Sequence, residues 1–347
     1  VDGVVRTTTH INPGAPAEGP PFAGLEFADA ELSASVRTGL ADVERELREA
    51  VSGADPYVTE VGQHLLEAGG KRTRPLLVLI ASHFGKPGEP NVIPAALVVE
   101  LTHLATLYHD DVMDEALVRR GAPSANSRYG NSVAILTGDY LFARASDIVS
   151  DLGPEAVRIQ ARTFSRLVRG QIKETAGPRG ADPVDYYLDV LADKTGSLIA
   201  TSARFGGMFA GADETAVEAL AAFGETFGMA FQLSDDLLDI ASETDQSGKT
   251  PGTDLREGVL TLPVLYALDG GDRAGRRLAE IVQGPVTDDD LHAEALTLLR
   301  ASTGMERARA TLRSYAERAR RELDPLPDLP ARQALEALCD FVIARMG

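Results

Sequence analysis

The stretch LYHDDVMDEALVRRG, running from Leu107 to Gly121, sets three aspartates and an arginine pair inside an otherwise apolar, helical part of the chain. An α-helix turns every ~3.6 residues, so the i, i+1, i+4 spacing puts Asp110 and Asp114 one turn apart, with Asp111 leaning over the same side. Like charges so placed repel, and more strongly where water is excluded. The spacing returns at Asp235, Asp236 and Asp239 in FQLSDDLLDIASETDQSGKTPGTDLREG. An isolated DDxxD is more often a solvated helix face than a site. Two copies in apolar contexts, VVELTHLATLYHDD and FGMAFQLSDDLLDI, call for compensating cations, because buried unpaired carboxylates are prohibitive. Oxygen-only ligands suit a hard ion such as Mg²⁺, which takes one or two protein carboxylates and completes its octahedron with phosphate oxygens and waters. A diphosphate is the natural bridge.

The basic residues point the same way. GGKRTRP at 69–75 supplies Lys71, Arg72 and Arg74 in a glycine-led turn, and Arg119 and Arg120 follow the first aspartates. With a formal charge of −18, the chain repels polyanions everywhere except at such clusters, which argues against a nucleic-acid partner. Arginine forks match phosphate oxygens, so these two clusters suggest a second diphosphate pocket that grips its ligand directly.

Around these motifs the chain of 347 residues, 44% of them hydrophobic, is long enough for one large core. Helical periodicity recurs from Asp29 onward, at Leu32, Val36, Leu40, Val43 and Leu47. It predicts further helices at 56–69, 74–84, 92–118, 131–151, 154–175, 183–209, 213–241, 260–268, 289–300, 303–323 and 330–346. No segment alternates long enough to predict a strand. The expectation is an all-α bundle of one domain over 25–347, with a loosely packed Pro/Gly-rich tail at 1–24. No apolar run reaches the ~18 residues of a membrane span and no secretory signal is visible, so the chain reads as cytoplasmic. Cys339, a lone thiol, reads as a core residue, without a disulfide or zinc.

GGKRTRP, HDDVMDEALVRRG, GDYLFARA, DKTGSL, FQLSDDLLD and GKTPGTDLREG, closed by LPARQALEALCDFVIAR, occur in the order found in the trans-polyprenyl diphosphate synthase family, which this chain resembles from about residue 30 to its end. The resemblance implies the isoprenoid synthase helical bundle with a central apolar cavity. It implies that Asp110, Asp111, Asp114, Asp235, Asp236 and Asp239 hold Mg²⁺, as three ions, around an allylic diphosphate. Arg119 and Lys194 would grip that diphosphate, while Lys71, Arg74, His103 and Arg120 would bind isopentenyl diphosphate. Thr195 and Gln232 would stand beside the reacting carbon, and Lys249 would close from the following loop. Val259 stands where the family often has lysine. Homodimerisation is also implied.

The residue chemistry agrees. Cleaving an allylic carbon–oxygen bond makes a carbocation and a diphosphate whose charge a Lewis acid stabilises, and the cation must be kept from water. Chain length is expected from Ala105, five residues before Asp110, where shorter-chain members often carry an aromatic ring. With Leu101 of modest size one turn lower, the tube should pass a product longer than geranylgeranyl diphosphate, of the kind used for quinone side chains. A Tyr108 ring turned inward would instead shorten it to geranylgeranyl or farnesyl length. The rivals are a class I terpene cyclase, which has no need of the Lys71, Arg74 and Arg120 pocket, a non-catalytic subunit, which would lack one aspartate cluster, and a Mg²⁺-stabilised structural bundle.

Overall fold

The computed structural model describes residues 27–53, 55–242, 251–271 and 273–345. The predicted tail at 1–24 and Lys249 lie outside them. Several helices begin where the sequence offers acidic caps. Asp29 accepts from Leu32 N at 2.7 Å to start α1 (Ala30–Val51), and Asp55 from Tyr57 N at 2.8 Å to start α2 (Pro56–Glu67). Helix α3 (Thr73–Ser82) leads to α4 (Val92–Met113), whose side chains are buried nearly all round because α3, α6 (Asn131–Asp151) and α9 (Ser197–Phe209) enclose it. By length and composition α4 could cross a membrane, so the expectation that no apolar run is long enough was too strict. Here it is the core helix of a bundle, which passes the same test.

Three departures from the periodicity fall at the site. The helix predicted over 92–118 stops at Met113. Glu115 takes a left-handed conformation (φ 50°), Ala116 N donates to Asp111 O at 3.0 Å and Glu115 N to Val112 O at 3.4 Å. That is a Schellman stop made without the glycine that usually announces one. The chain then turns back through a two-residue antiparallel hairpin, Val118–Arg119 on Ala122–Pro123, too short for alternation to reveal, and the short α5 (Ala125–Tyr129). The helix predicted over 183–209 is α8 (Pro183–Leu191) and α9 joined by a π-turn, Ala192–Gly196.

Beyond α7 (Pro154–Ala176), α10 (Glu214–Ala241) packs on α9 and carries the second aspartate motif. Phe223 and Phe227 stack at 5.4 Å along its buried side. The remaining helices are α11 (Thr253–Glu257), α12 (Leu262–Asp269), α13 (Arg273–Ile281), α14 (Asp289–Arg300), α15 (Thr303–Glu322) and α16 (Pro330–Ala344). The short helices α5 and α11 escaped prediction because each offers too few turns for a period; α13, nine residues long, was also passed over although its apolar residues recur at helical spacing. Cys339 is buried and unpaired, as expected.

Candidate active site

The C-terminal end of α4, the π-turn, α10 and α11 surround a cavity of about 250 Å³. Asp110 and Asp114 line one wall, and Asp236 and Asp254 line another. Burial pushes the Asp110 carboxyl up to about 6, opposed by Lys194 and reinforced by Asp114. Burial likewise raises Asp114, Asp236 and Asp254; for Asp254 its neighbours Asp239 and Asp236 add to the shift. Such carboxylates resist ionising beside one another without a cation, and their donors are all oxygen, which fits a hard divalent ion. Among the described residues no three of these carboxylates converge into a ready-made metal site. That arrangement suits Mg²⁺ completed by substrate oxygens and water rather than a closed protein cage.

The six aspartates therefore divide. Asp111 is fully buried on the far side of α4, accepting from Arg119 Nε at 2.6 Å and Ala125 N at 3.1 Å. Asp235 meets Lys71 Nζ at 3.4 Å and Arg345 Nη2 at 2.8 Å. Asp239 accepts from Thr253 N at 3.1 Å and Asp254 N at 3.2 Å, fastening the start of α11. Asp236 accepts from Gln232 Nε2 at 3.0 Å and from the Tyr187 hydroxyl.

The π-turn turns Lys194 and Thr195 into the cavity. Lys194 Nζ donates to Glu174 Oε2 at 2.5 Å, and Thr195 Oγ1 to Gln232 Oε1 at 3.2 Å. Arg119 lines the same wall, 3.7 Å from Asp114. Val259 also faces the cavity, so the residue standing where lysine is usual does look into the site.

Beside this cavity lies the cationic group. Gly69 and Gly70 both have positive φ (89° and 147°), which lets the chain present Lys71, Arg72 and Arg74 in one turn. Arg74 is half-buried, with its Nε enclosed and unpartnered, and desolvation brings its pKa down to about 10, Arg120 adding to the effect and Glu100 opposing it. His103 is held well below its usual value by burial and then by Arg74 and Arg120, so it is neutral. Arg120 Nη1 donates to Leu65 O at 2.9 Å. Lys71 lies 5.3 Å from the Phe231 ring centroid. Arg72 departs from the cluster, donating to Glu44 and, at 3.2 Å, to buried Glu100, which makes it a tie between α1 and α4.

Of the chain-length residues, Ala105 and Leu101 are buried and do not line the cavity. The Tyr108 hydroxyl donates to Val61 O at 2.5 Å and accepts from Leu65 N at 3.2 Å, which fixes the ring on α2. Reasoning from the sequence missed Tyr187, Glu174 and Glu257, all on the cavity wall. Tyr187, Leu191 and Lys194 recur at spacings of four and three, which is the signal that could have found the first.

The polyprenyl synthetase family model matches residues 55–299. The nonaprenyl diphosphate synthase of Mycobacterium tuberculosis is 53% identical over 327 residues, covering 94% of this chain and 98% of that one. Among solved structures, geranylgeranyl pyrophosphate synthase from Corynebacterium glutamicum, complexed with calcium and isoprenyl diphosphate, superimposes with a TM-score of 0.84 at 48% identity, covering 93% of this chain and 100% of that one. A decaprenyl diphosphate synthase from Rhodobacter capsulatus gives 0.83 at 36% identity, covering 91% and 99%. With its paired aspartate motifs on facing walls of one helical cavity, the chain belongs to the polyprenyl synthetase family and is a prenyltransferase of the trans-polyprenyl diphosphate synthase class.

Proposed function

We propose that this enzyme condenses isopentenyl diphosphate head-to-tail with an allylic diphosphate, in a Mg²⁺-dependent reaction whose product is longer than geranylgeranyl diphosphate and suits a quinone side chain. The observation that carries the reading is one cavity in which Asp110 and Asp114 face Asp236, with half-buried Arg74, Arg120 and neutral His103 grouped beside it. Asp110, Asp114 and Asp236 would hold the ions, three by family likeness; Asp111, Asp235 and Asp239 act here through other partners. Mg²⁺ supplies Lewis-acid stabilisation of the departing diphosphate. Arg119 and Lys194 bind that diphosphate's remaining oxygens, and Thr195 and Gln232 offer oxygens to the positive charge at the allylic carbon. Lys71, Arg74 and Arg120 hold isopentenyl diphosphate, and His103 contributes a neutral hydrogen-bonding ring. Val190 and Leu191 on the cavity wall help exclude water.

The nonaprenyl and decaprenyl relatives support the longer product; the likeness to a geranylgeranyl synthase favours the shorter alternative. A homodimer is supported by exposed Ile135 and Leu136 on α6 beside exposed Val168 and Ile172 on α7. A cytoplasmic location is part of the same proposal; 67% of the apolar window of α4 is buried inside the bundle, as in the core helix of a soluble protein. Incubation with labelled isopentenyl diphosphate, primers of increasing length and Mg²⁺, followed by sizing of the dephosphorylated products, tests the proposal. Chains beyond four isoprene units are expected. No condensation with any primer would overturn the reaction, and a stop at four units would overturn the length.

A further inference from the structure

The π-turn that aims Lys194 and Thr195 is held from outside the cavity. Asp193, 4% exposed, collects three cations from successive turns of α7. Arg166 Nε reaches Oδ1 at 3.1 Å, Arg169 reaches Oδ2 through Nε at 2.7 Å and Oδ1 through Nη2 at 2.6 Å, and Lys173 Nζ reaches Oδ2 at 3.3 Å. Arg166 also donates to Ala192 O at 3.2 Å and to Glu225 of α10 at 2.6 Å, so it grips the turn and the helix behind it. Between these cations α7 carries Gly170. A Cβ there would stand 2.8 Å from Lys194 N and 3.1 Å from both Asp193 Cβ and Lys194 Cα, which means the two backbones touch where any side chain would separate them.

A π-turn is rare and is kept where its surroundings over-determine it. It admits an extra residue, so relaxing it to α-helical winding rotates the following side chains by ~100° relative to the preceding ones. Lys194 and Thr195 could not then both keep their partners Glu174 and Gln232. We propose that Asp193 is a positioning residue of the condensation: clamped by Arg166, Arg169 and Lys173, it locks the π-turn against α7 so that Lys194 meets the allylic diphosphate and Thr195 the carbon being ionised. This rests on the roles given above to Lys194 and Thr195. Burial alone would raise the Asp193 carboxyl, but the hydrogen bonds from Arg169, Arg166 and Lys173 outweigh it and hold the group at about 2, so the clamp stays charged at any working pH.

The test compares Asp193→Asn, Asp193→Glu, Arg169→Gln and Lys194→Ala. Binding of an unreactive allylic thiolodiphosphate with Mg²⁺, binding of isopentenyl diphosphate, kcat and Tm are measured separately. Asp193→Asn should weaken allylic binding roughly tenfold and lower kcat by up to about 10²-fold, with isopentenyl diphosphate binding within about twofold of wild type. Asp193→Glu should restore part of the loss. Arg169→Gln, an exposed change, should show the same selectivity to a smaller degree and decides the matter if Asp193→Asn does not fold. Unchanged kcat and allylic binding in the folded variants, or equal losses for both substrates that follow Tm, would overturn the inference. Lys194→Ala separates the two readings. If it weakens allylic binding while the clamp variants do not, only the positioning role fails; if it has no effect, the diphosphate role of Lys194 fails first.

Discussion

Arg119 Nε lies 2.6 Å from Asp111 Oδ1, and the pair fastens the hairpin behind the first aspartate motif to the buried side of α4. The second Asp111 oxygen takes Ala125 N at 3.1 Å, leaving this carboxylate occupied on the side away from the cavity. Neighbouring aspartates of one motif should therefore fail differently. Asp110→Ala should abolish turnover with Tm unchanged or raised, because it removes an uncompensated carboxylate. Asp111→Ala should lower stability by on the order of 3 kcal/mol, since it removes the shorter of Arg119's two carboxylate contacts and leaves a buried N–H without its acceptor. Thermal melts beside a product assay decide it; equal Tm values for the two variants would refute the division.

The raised pKa of Asp110 gives a second prediction, in metal-free protein. A carboxyl at about 6 when folded and at its ordinary value when unfolded binds more protons in the native state between those two values, so its contribution to stability falls as pH rises through that window. Asp110→Asn lacks this loss. With chelator present, the variant should gain in Tm on wild type as pH rises from about 4 to about 6, and the gain should level off above. Adding Mg²⁺ and an allylic diphosphate should reverse the order. A difference independent of pH in chelator would show that Asp110 is not the strained group.

The aspartate motifs, the arginine turn and most long helices were legible because they rest on local spacing. What escaped depends on chain reversal. Nothing in HDDVMDEALVRRG marks Glu115 as left-handed, so the turn that carries Arg119 back over the site was read as more helix. The π-turn has the same cause, since an extra residue within an apolar helical run leaves no mark on composition. Arg72 was grouped with its neighbours because its partners, Glu44 and Glu100, come from distant helices. Tyr187 was passed over as a wall residue for the same reason, its partner Asp236 lying on α10.

The arginines of the glycine turn should likewise separate by role. Arg74, half-buried with an unpartnered Nε, offers charge-assisted hydrogen bonds to a diphosphate, each worth roughly 1.5–3 kcal/mol. Arg74→Ala and Lys71→Ala should weaken isopentenyl diphosphate binding by about tenfold or more while leaving allylic binding nearly unchanged. Arg72→Ala should instead lower Tm, because it leaves buried Glu100 without its cation. Titrations with each substrate and a melt for each variant test this. Equal losses for both substrates in Arg74→Ala would show the pockets to be misassigned.

The longer product proposed above would need a passage along the seam between α4 and α6 below the aspartates. Each helical turn offers ~5.4 Å, about one isoprene unit, so a chain growing from Asp110 toward Leu101 passes the level of Ala105 within its first turns. Small residues meet there beside the His109 ring. Ala105 is buried against α6, where a Cβ added at Gly138 would stand 3.0 Å from Ala105 O and closer still to the His109 ring, and Ala134 lies one turn before that glycine. Tyr108, the ring that would have narrowed the passage, is tied to the α2 backbone at 2.5 Å and so is not free to swing across it. Lengthening along this seam requires α4 and α6 to part where Ala105, Ala134 and Gly138 meet beside the His109 ring. Ala105→Phe fills that volume from one side, so it should shift products to shorter chains and cost about 1–3 kcal/mol of stability through overpacking. Sizing the dephosphorylated products of wild type and variant under identical primer and Mg²⁺ gives the answer. A wild-type enzyme that already stops at four isoprene units, with no change in Ala105→Phe, would refute passage along this seam.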